Sequence, residues 1–84
     1  MPSFPISREQ ALSAGSRVAS PRDMGALLRG RRKELGYTQE FVADMLGFSP
    51  RLIGEIERGR GTVAFERMLA YAKGLGIDLA AFVR

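Results

Sequence analysis

From residue 20 onward apolar side chains return every three or four positions, and each run of them closes on a glycine. That spacing is the signature of helices with one buried face. The first stripe is Met24, Leu27, Leu28 and Leu35; Ser20 stands where an N-cap is needed, Pro21 at the first helical position, Asp23 in the first turn, and Gly36 at the end. Thr38 is expected to cap a second helix, "TQEFVADMLG", with Val42, Ala43 and Leu46 inward and Gly47 as its stop. A third begins with Ser49 as cap and Pro50 as first residue, and Gly59 closes it. The "RGRG" that follows is too rich in glycine to be helical, so the fourth helix is predicted from Thr62, carrying Phe65, Met68, Leu69, Ala72 and Leu75 on its core face. In the last segment, "GIDLAAFVR", Ile77, Leu79, Ala81 and Val83 alternate as in a strand, while Leu79, Phe82 and Val83 also suit a short helix. Periodicity does not choose between them. Residues 1–19 hold Pro2, Pro5, Gly15 and four serines among scattered apolar residues, and are expected to form a flexible arm, with a single turn after Ser7. The pattern therefore predicts an all-α, compact domain over residues 20–84, of four to five helices, with residues 76–84 as a candidate dimerisation segment.

Composition narrows what such a domain does. At 84 residues it holds one core. The chain has no Cys and no His, which removes thiol chemistry, thiolate or imidazole metal sites and the commonest general base. With no paired catalytic groups and no phosphate-cradling loop either, neither an enzyme nor a cofactor or metal site is expected. No apolar run approaches the roughly 20 residues of a membrane span, and the first 20 residues lack the pattern of a secretory signal, so a cytoplasmic location is expected. Thirteen Lys+Arg against nine Asp+Glu give a net charge of +4, a balance that suits a polyanionic partner.

Two charges fall on apolar faces. Arg32 lies four residues after Leu28 and three before Leu35, on the side of the leucines; Glu57 shares a face with Ile53 and Ile56 by the same arithmetic. The two are expected to meet as a structural ion pair between the first and third helices. The alternative is that each side chain reaches solvent along the flank of its helix.

With that face subtracted, the third helix presents Pro50, Arg51, Gly54, Glu55 and Arg58 outward, a polar strip with a small residue in its middle that permits close approach. A B-DNA major groove, about 12 Å wide, admits one helix, and there Arg donates twice to guanine while a carboxylate accepts from cytosine. Arg51 and Glu55 are the expected base readers. Ser49 and the amides beside it, with Gln39 and the amides opening the second helix, are placed to grip phosphates. Arg58 and Arg60, at and after the end of the third helix, are expected on the DNA backbone. Arg29, Arg31 and Lys33 fit either a phosphate clamp or a solvated, dipole-complementing face.

Residues 24–79 resemble the helix-turn-helix domain of the lambda-repressor and Cro superfamily, often called Xre-like. The likeness rests on "LGYTQ" leading into the second helix, "LGFS" as the turn, "IGEIERG" closing the third helix, and Arg32 opposite Glu57. It implies a lambda-repressor-like fold in which the positions of Gln39, Ser49, Pro50, Arg51 and Glu55 face DNA and Arg32 and Glu57 pair structurally. Pro50 departs from the family, where a polar base reader is common at its position; proline has no side-chain donor and no N–H to offer.

One short recognition helix reads too few base pairs to find an operator, so this fold class implies a homodimer on a palindromic, double-stranded site. The short C-terminal segment is similar to that of HipB-like antitoxins, which end soon after the fourth helix with a strand. That likeness points to an autoregulating antitoxin whose partner is a toxin, a HipA-like kinase. Phe41, Met45 and Phe48 form a candidate partner or dimer surface, as do Ile77, Leu79, Phe82 and Val83; the first three are otherwise expected to cover the core edge. The alternatives are a phage or restriction-control type repressor without a toxin partner, and a protein-interaction module that has lost DNA binding.

Overall fold

A computed structural model of the chain describes residues 9, 10, 13 and 15–84. The expectation of a flexible arm over residues 1–19 falls largely outside the described residues. Four helices follow: α1 Pro21–Glu34, α2 Gln39–Leu46, α3 Pro50–Glu57 and α4 Phe65–Gly74.

Three of the four begin where a hydroxyl can accept from an exposed amide. Ser20 accepts from the Asp23 amide at 3.1 Å, Thr38 from Phe41 at 3.0 Å and Ser49 from Leu52 at 3.1 Å. Each satisfies one of the free N–H groups that every helix start leaves behind. Between α2 and α3 the chain reverses through Gly47, whose φ of 72° lies in the left-handed region, and the Phe48 amide closes the turn on the Ala43 carbonyl at 2.9 Å.

The fourth helix starts later than its sequence predicts. Its N-cap is Ala64, which has no side-chain acceptor, and Val63 is held instead in a turn by its amide on the Arg60 carbonyl at 3.3 Å. Thr62 is therefore outside the helix, and Phe65, placed on the core stripe by spacing, stands at the first helical position and is 62% exposed. Leu35 also departs from its expected place: it lies one residue past α1 and is exposed rather than inward. Residues 77–84 are neither helix nor strand here, although Ile77 and Leu79 fold back against the core.

The core is Met24 and Leu28 from α1, Val42 and Ala43 from α2, Ile53 and Ile56 from α3, and Met68, Tyr71, Ala72 and Leu75 from α4 and its cap. Each large side chain buried there contributes about 1.5–3 kcal/mol from water exclusion. Helix α3 packs on both α1 and α2, while α4 packs on α1 and α2. The crossing of α1 and α3 is close because Gly25 has no side chain; a Cβ there would lie 2.4 Å from the Ile56 carbonyl oxygen and 2.6 Å from that of Glu57. No helix of the described residues is long and apolar enough to cross a membrane.

Candidate nucleic-acid interface

Because Ile53 and Ile56 are wholly inside, at 0% and 1% exposure, the orientation of α3 is fixed and its opposite side must face solvent. Arg51 lies there with its side chain 86% exposed, its Nε 3.7 Å from a carboxylate oxygen of Glu55 one turn on. Pro50 and Ser49 are exposed at the N-terminus of the helix, and Arg58 and Arg60 at its exit. The Ser49 hydroxyl accepts from Leu52 as a cap, which leaves its own O–H free to donate outward.

Beneath this strip the two inward charges come together. Arg32 donates from Nε to Glu57 Oε2 at 2.7 Å and from Nη2 to Oε1 at 3.0 Å, a bidentate fork on a residue pair each 8% exposed. A third Arg32 donor, Nη1, reaches the Tyr37 carbonyl at 2.8 Å, between α1 and α2. Sequence reasoning missed the rest of the network. Tyr71 of α4, completely buried, donates its hydroxyl to Glu57 Oε2 at 2.5 Å. The signal was present, since Tyr71 lies three residues after Met68 and four before Leu75, and a phenol on a core stripe needs a partner.

Gln39 also has a partner within the fold. Rather than pointing only at solvent, it is half-buried and donates its amide to Glu57 Oε1 at 3.2 Å. The carboxylate of α3 thus binds one side chain from each of the other three helices. Burial pushes the Glu57 carboxyl upward, but hydrogen bonds from Arg32, Tyr71 and Gln39 and the Arg32 charge outweigh it, so it titrates below its ordinary 4.5. The Arg32 hydrogen bond to Glu57, opposed by burial, strengthens its hold on its proton. Burial first, and the bond to Glu57 second, carry the Tyr71 phenol well above the usual tyrosine range.

Gly54 is not the open notch its sequence predicts. It is buried, and a Cβ there would meet Arg58 Nη1 at 3.1 Å and the rest of the same guanidinium at 3.7 Å. The Arg58 side chain folds back over the middle turn of α3 and covers the backbone. Of the basic run in α1, Arg31 is engaged within the fold, donating from Nε to the Leu75 carbonyl at 3.0 Å at the end of α4; Arg29 and Lys33 are exposed.

Among the candidate partner residues, Phe41, Met45, Phe82 and Val83 are exposed at 50%, 43%, 42% and 97%. Phe41 lies against Tyr37 with ring centroids 4.7 Å apart, whereas Phe48 is half-buried with the Arg67 guanidinium 5.6 Å from its ring centre. Ile77 and Leu79 are half-buried on their own core, which leaves Phe82 and Val83 as the open part of the C-terminal segment.

Residues 28–82 match the helix-turn-helix family HTH_3. The chain is 36% identical over 67 residues to the HTH-type transcriptional regulator y4mF of Sinorhizobium fredii, covering 77% of this chain and 88% of that protein. It is 54% identical over 35 residues to the HTH-type transcriptional regulator YazB of Bacillus subtilis, covering 42% of this chain and 51% of its length. Among solved structures, a single-residue variant of HipB in complex with an O2 20mer superposes with a TM-score of 0.76 at 16% identity, over 83% of this chain and 97% of that one. The HipA–HipB–O2–O3 complex gives 0.74 at 16% identity, over 81% and 96%. These likenesses extend the fold, a compact all-α unit of the HipB type, well beyond the helix-turn-helix pair. With its polar α3 strip standing on a buried ion pair and its sequence matching the family model over more than half of its length, the chain belongs to the HTH_3 helix-turn-helix family of DNA-binding transcriptional regulators, a family that is not enzymatic.

Proposed function

We propose that the protein is a sequence-specific repressor that binds a palindromic double-stranded operator as a homodimer, inserting α3 in the major groove. The observation that carries this reading is the Arg51–Glu55 pair, Arg51 exposed and Glu55 half-buried with 32% of its side chain open, on a helix whose other side is locked into the core by Ile53 and Ile56. Arg51 donates to a guanine edge and Glu55 accepts from a cytosine amine. The Ser49 hydroxyl and the amides beside it, the second N–H of the Gln39 amide, and Arg60 hold phosphates and set the register. Pro50 offers only an apolar contact, to a thymine methyl. The exposed Phe82 and Val83 lie across the dimer axis.

The same protein is proposed to serve as the autoregulating antitoxin of a HipB-like pair, acting in the cytoplasm. Supporting this are the structural likeness to HipB, which is seen with HipA in one of the matching complexes, and the apolar surface of Phe41 and Met45 left open on α2. A toxin encoded beside the gene would bury that surface.

Footprinting the region upstream of the gene tests the first proposal. A protected palindrome is expected, and Arg51→Ala should cost about 1–3 kcal/mol of discrimination at one base pair per half-site while the melting temperature stays unchanged. Absence of protection at physiological salt sinks the repressor reading in favour of an interaction module. Copurification with the product of a neighbouring reading frame, lost in Phe41→Asp, tests the antitoxin role; a lone gene or a methyltransferase neighbour favours a phage or restriction-control type repressor.

A further inference from the structure

We propose that Arg58 is a third base reader, directed at a guanine, and that Gly54 is the residue that puts it there. This rests on the DNA-binding reading above and gives Arg58, expected from the sequence on the DNA backbone, a part in specificity instead. Arg58 follows Arg51 by seven residues, two helical turns, so the two rise from nearly the same line along the exposed side of α3. Long side chains on a helix lean toward its N-terminus. Arg58 does so: its Nη1 lies 3.1 Å, and its Cζ and Nη2 3.7 Å, from where a Cβ of Gly54 would stand. The guanidinium consequently lies over the middle turn of the helix, at Gly54, three residues after Arg51 and one before Glu55 in the chain, instead of extending past the helix end.

Charge pairing supports the assignment. Arg51 is engaged by Glu55, whereas no carboxylate among the described residues pairs with Arg58. Its fork of N–H donors is matched by the O6 and N7 acceptors of guanine in the major groove. Pro50, at the start of the strip, has no donor, so Arg58 supplies a second guanidinium to a reading face that otherwise has one. A Cβ at position 54 would press on the guanidinium at 3.1 Å, and a branched side chain would displace it.

The test uses the whole chain. Selection from a random duplex pool defines the preferred site, and affinities are then measured for every single base-pair change in it. Arg58→Ala should abolish discrimination at one guanine, a loss of about tenfold to a hundredfold there, and leave the other positions ranked as before. Replacing that guanine by 7-deazaguanine, which lacks N7, should weaken the unaltered protein and leave Arg58→Ala indifferent. Gly54→Val should relax the same base pair and add nothing when combined with Arg58→Ala. A uniform loss across all sequences, with a shallower salt dependence by about one ion, would make Arg58 a phosphate contact and overturn this inference alone. Failure of the unaltered protein to select any duplex overturns the DNA-reading face together with it. Should Gly54→Val not fold, the Arg58→Ala and 7-deazaguanine measurements decide.

Discussion

Glu57 shows what a single buried carboxylate requires. Removing one partner of a buried pair leaves the other charge without compensation, and here four donors from three side chains converge on the two oxygens. Glu57→Gln should lower stability by about 3 kcal/mol, a fall in melting temperature of roughly 10–20 °C for a domain this small. Tyr71→Phe removes one hydrogen bond to a charged group and should cost about 1.5 kcal/mol. The pH dependence separates the carboxylate from mere packing. Because folding depresses its pKa below 4.5, the stability it contributes is complete above about pH 4.5 and disappears as pH falls through the lower folded value. Thermal melts between pH 6 and pH 2 should therefore show a drop in the unaltered protein that is much reduced in Glu57→Gln. Equal drops in both would assign the acid sensitivity to other carboxylates. Of this network, Arg32 and Glu57 were legible because charges at leucine and isoleucine spacing stand out. Tyr71 was legible only in part: its place on the core stripe marks a phenol in need of a partner, and only the third dimension shows which acceptor it finds.

At the scale of elements, helix starts were readable wherever a side chain makes them. Ser20, Thr38 and Ser49 each cap through a local hydrogen bond, and local rules suffice for these. The start of α4 was misplaced because Ala64 caps with backbone alone, and the nearby Thr62 offered a hydroxyl that the fold does not use. Glycines within helices divide in the same way between local and distant causes. Gly25 and Gly30 both interrupt α1, where each costs about 0.5–1 kcal/mol relative to alanine. Gly30 faces open space, so Gly30→Ala should stabilise by about that amount. Gly25 meets the backbone of α3, which cannot yield as a side chain would, and Gly25→Ala should destabilise by about 1–3 kcal/mol or more as the helices are forced apart. Chemical denaturation of the two variants checks the pair; two changes of the same sign would refute the close crossing.

For the whole molecule, the basic balance and the exposure of Arg51, Arg58 and Arg60 along and just after α3 bear on affinity more than on fold. If about six phosphates are neutralised by a bound dimer, log K should fall with log salt at a slope near roughly −5. A flat dependence contradicts the proposed docking, and sedimentation at operator-binding concentrations would show whether two chains are present.

Four helices meet at one carboxyl group, and this bears on how such a module can be moved between proteins. A graft limited to α2 and α3 would carry Gln39 and Glu57 but leave behind Arg32 and Tyr71, transplanting an anion without its counter-charge. The smallest portable unit is all four helices, and a host scaffold that borrows only the reading strip must supply an arginine and a phenol of its own underneath it.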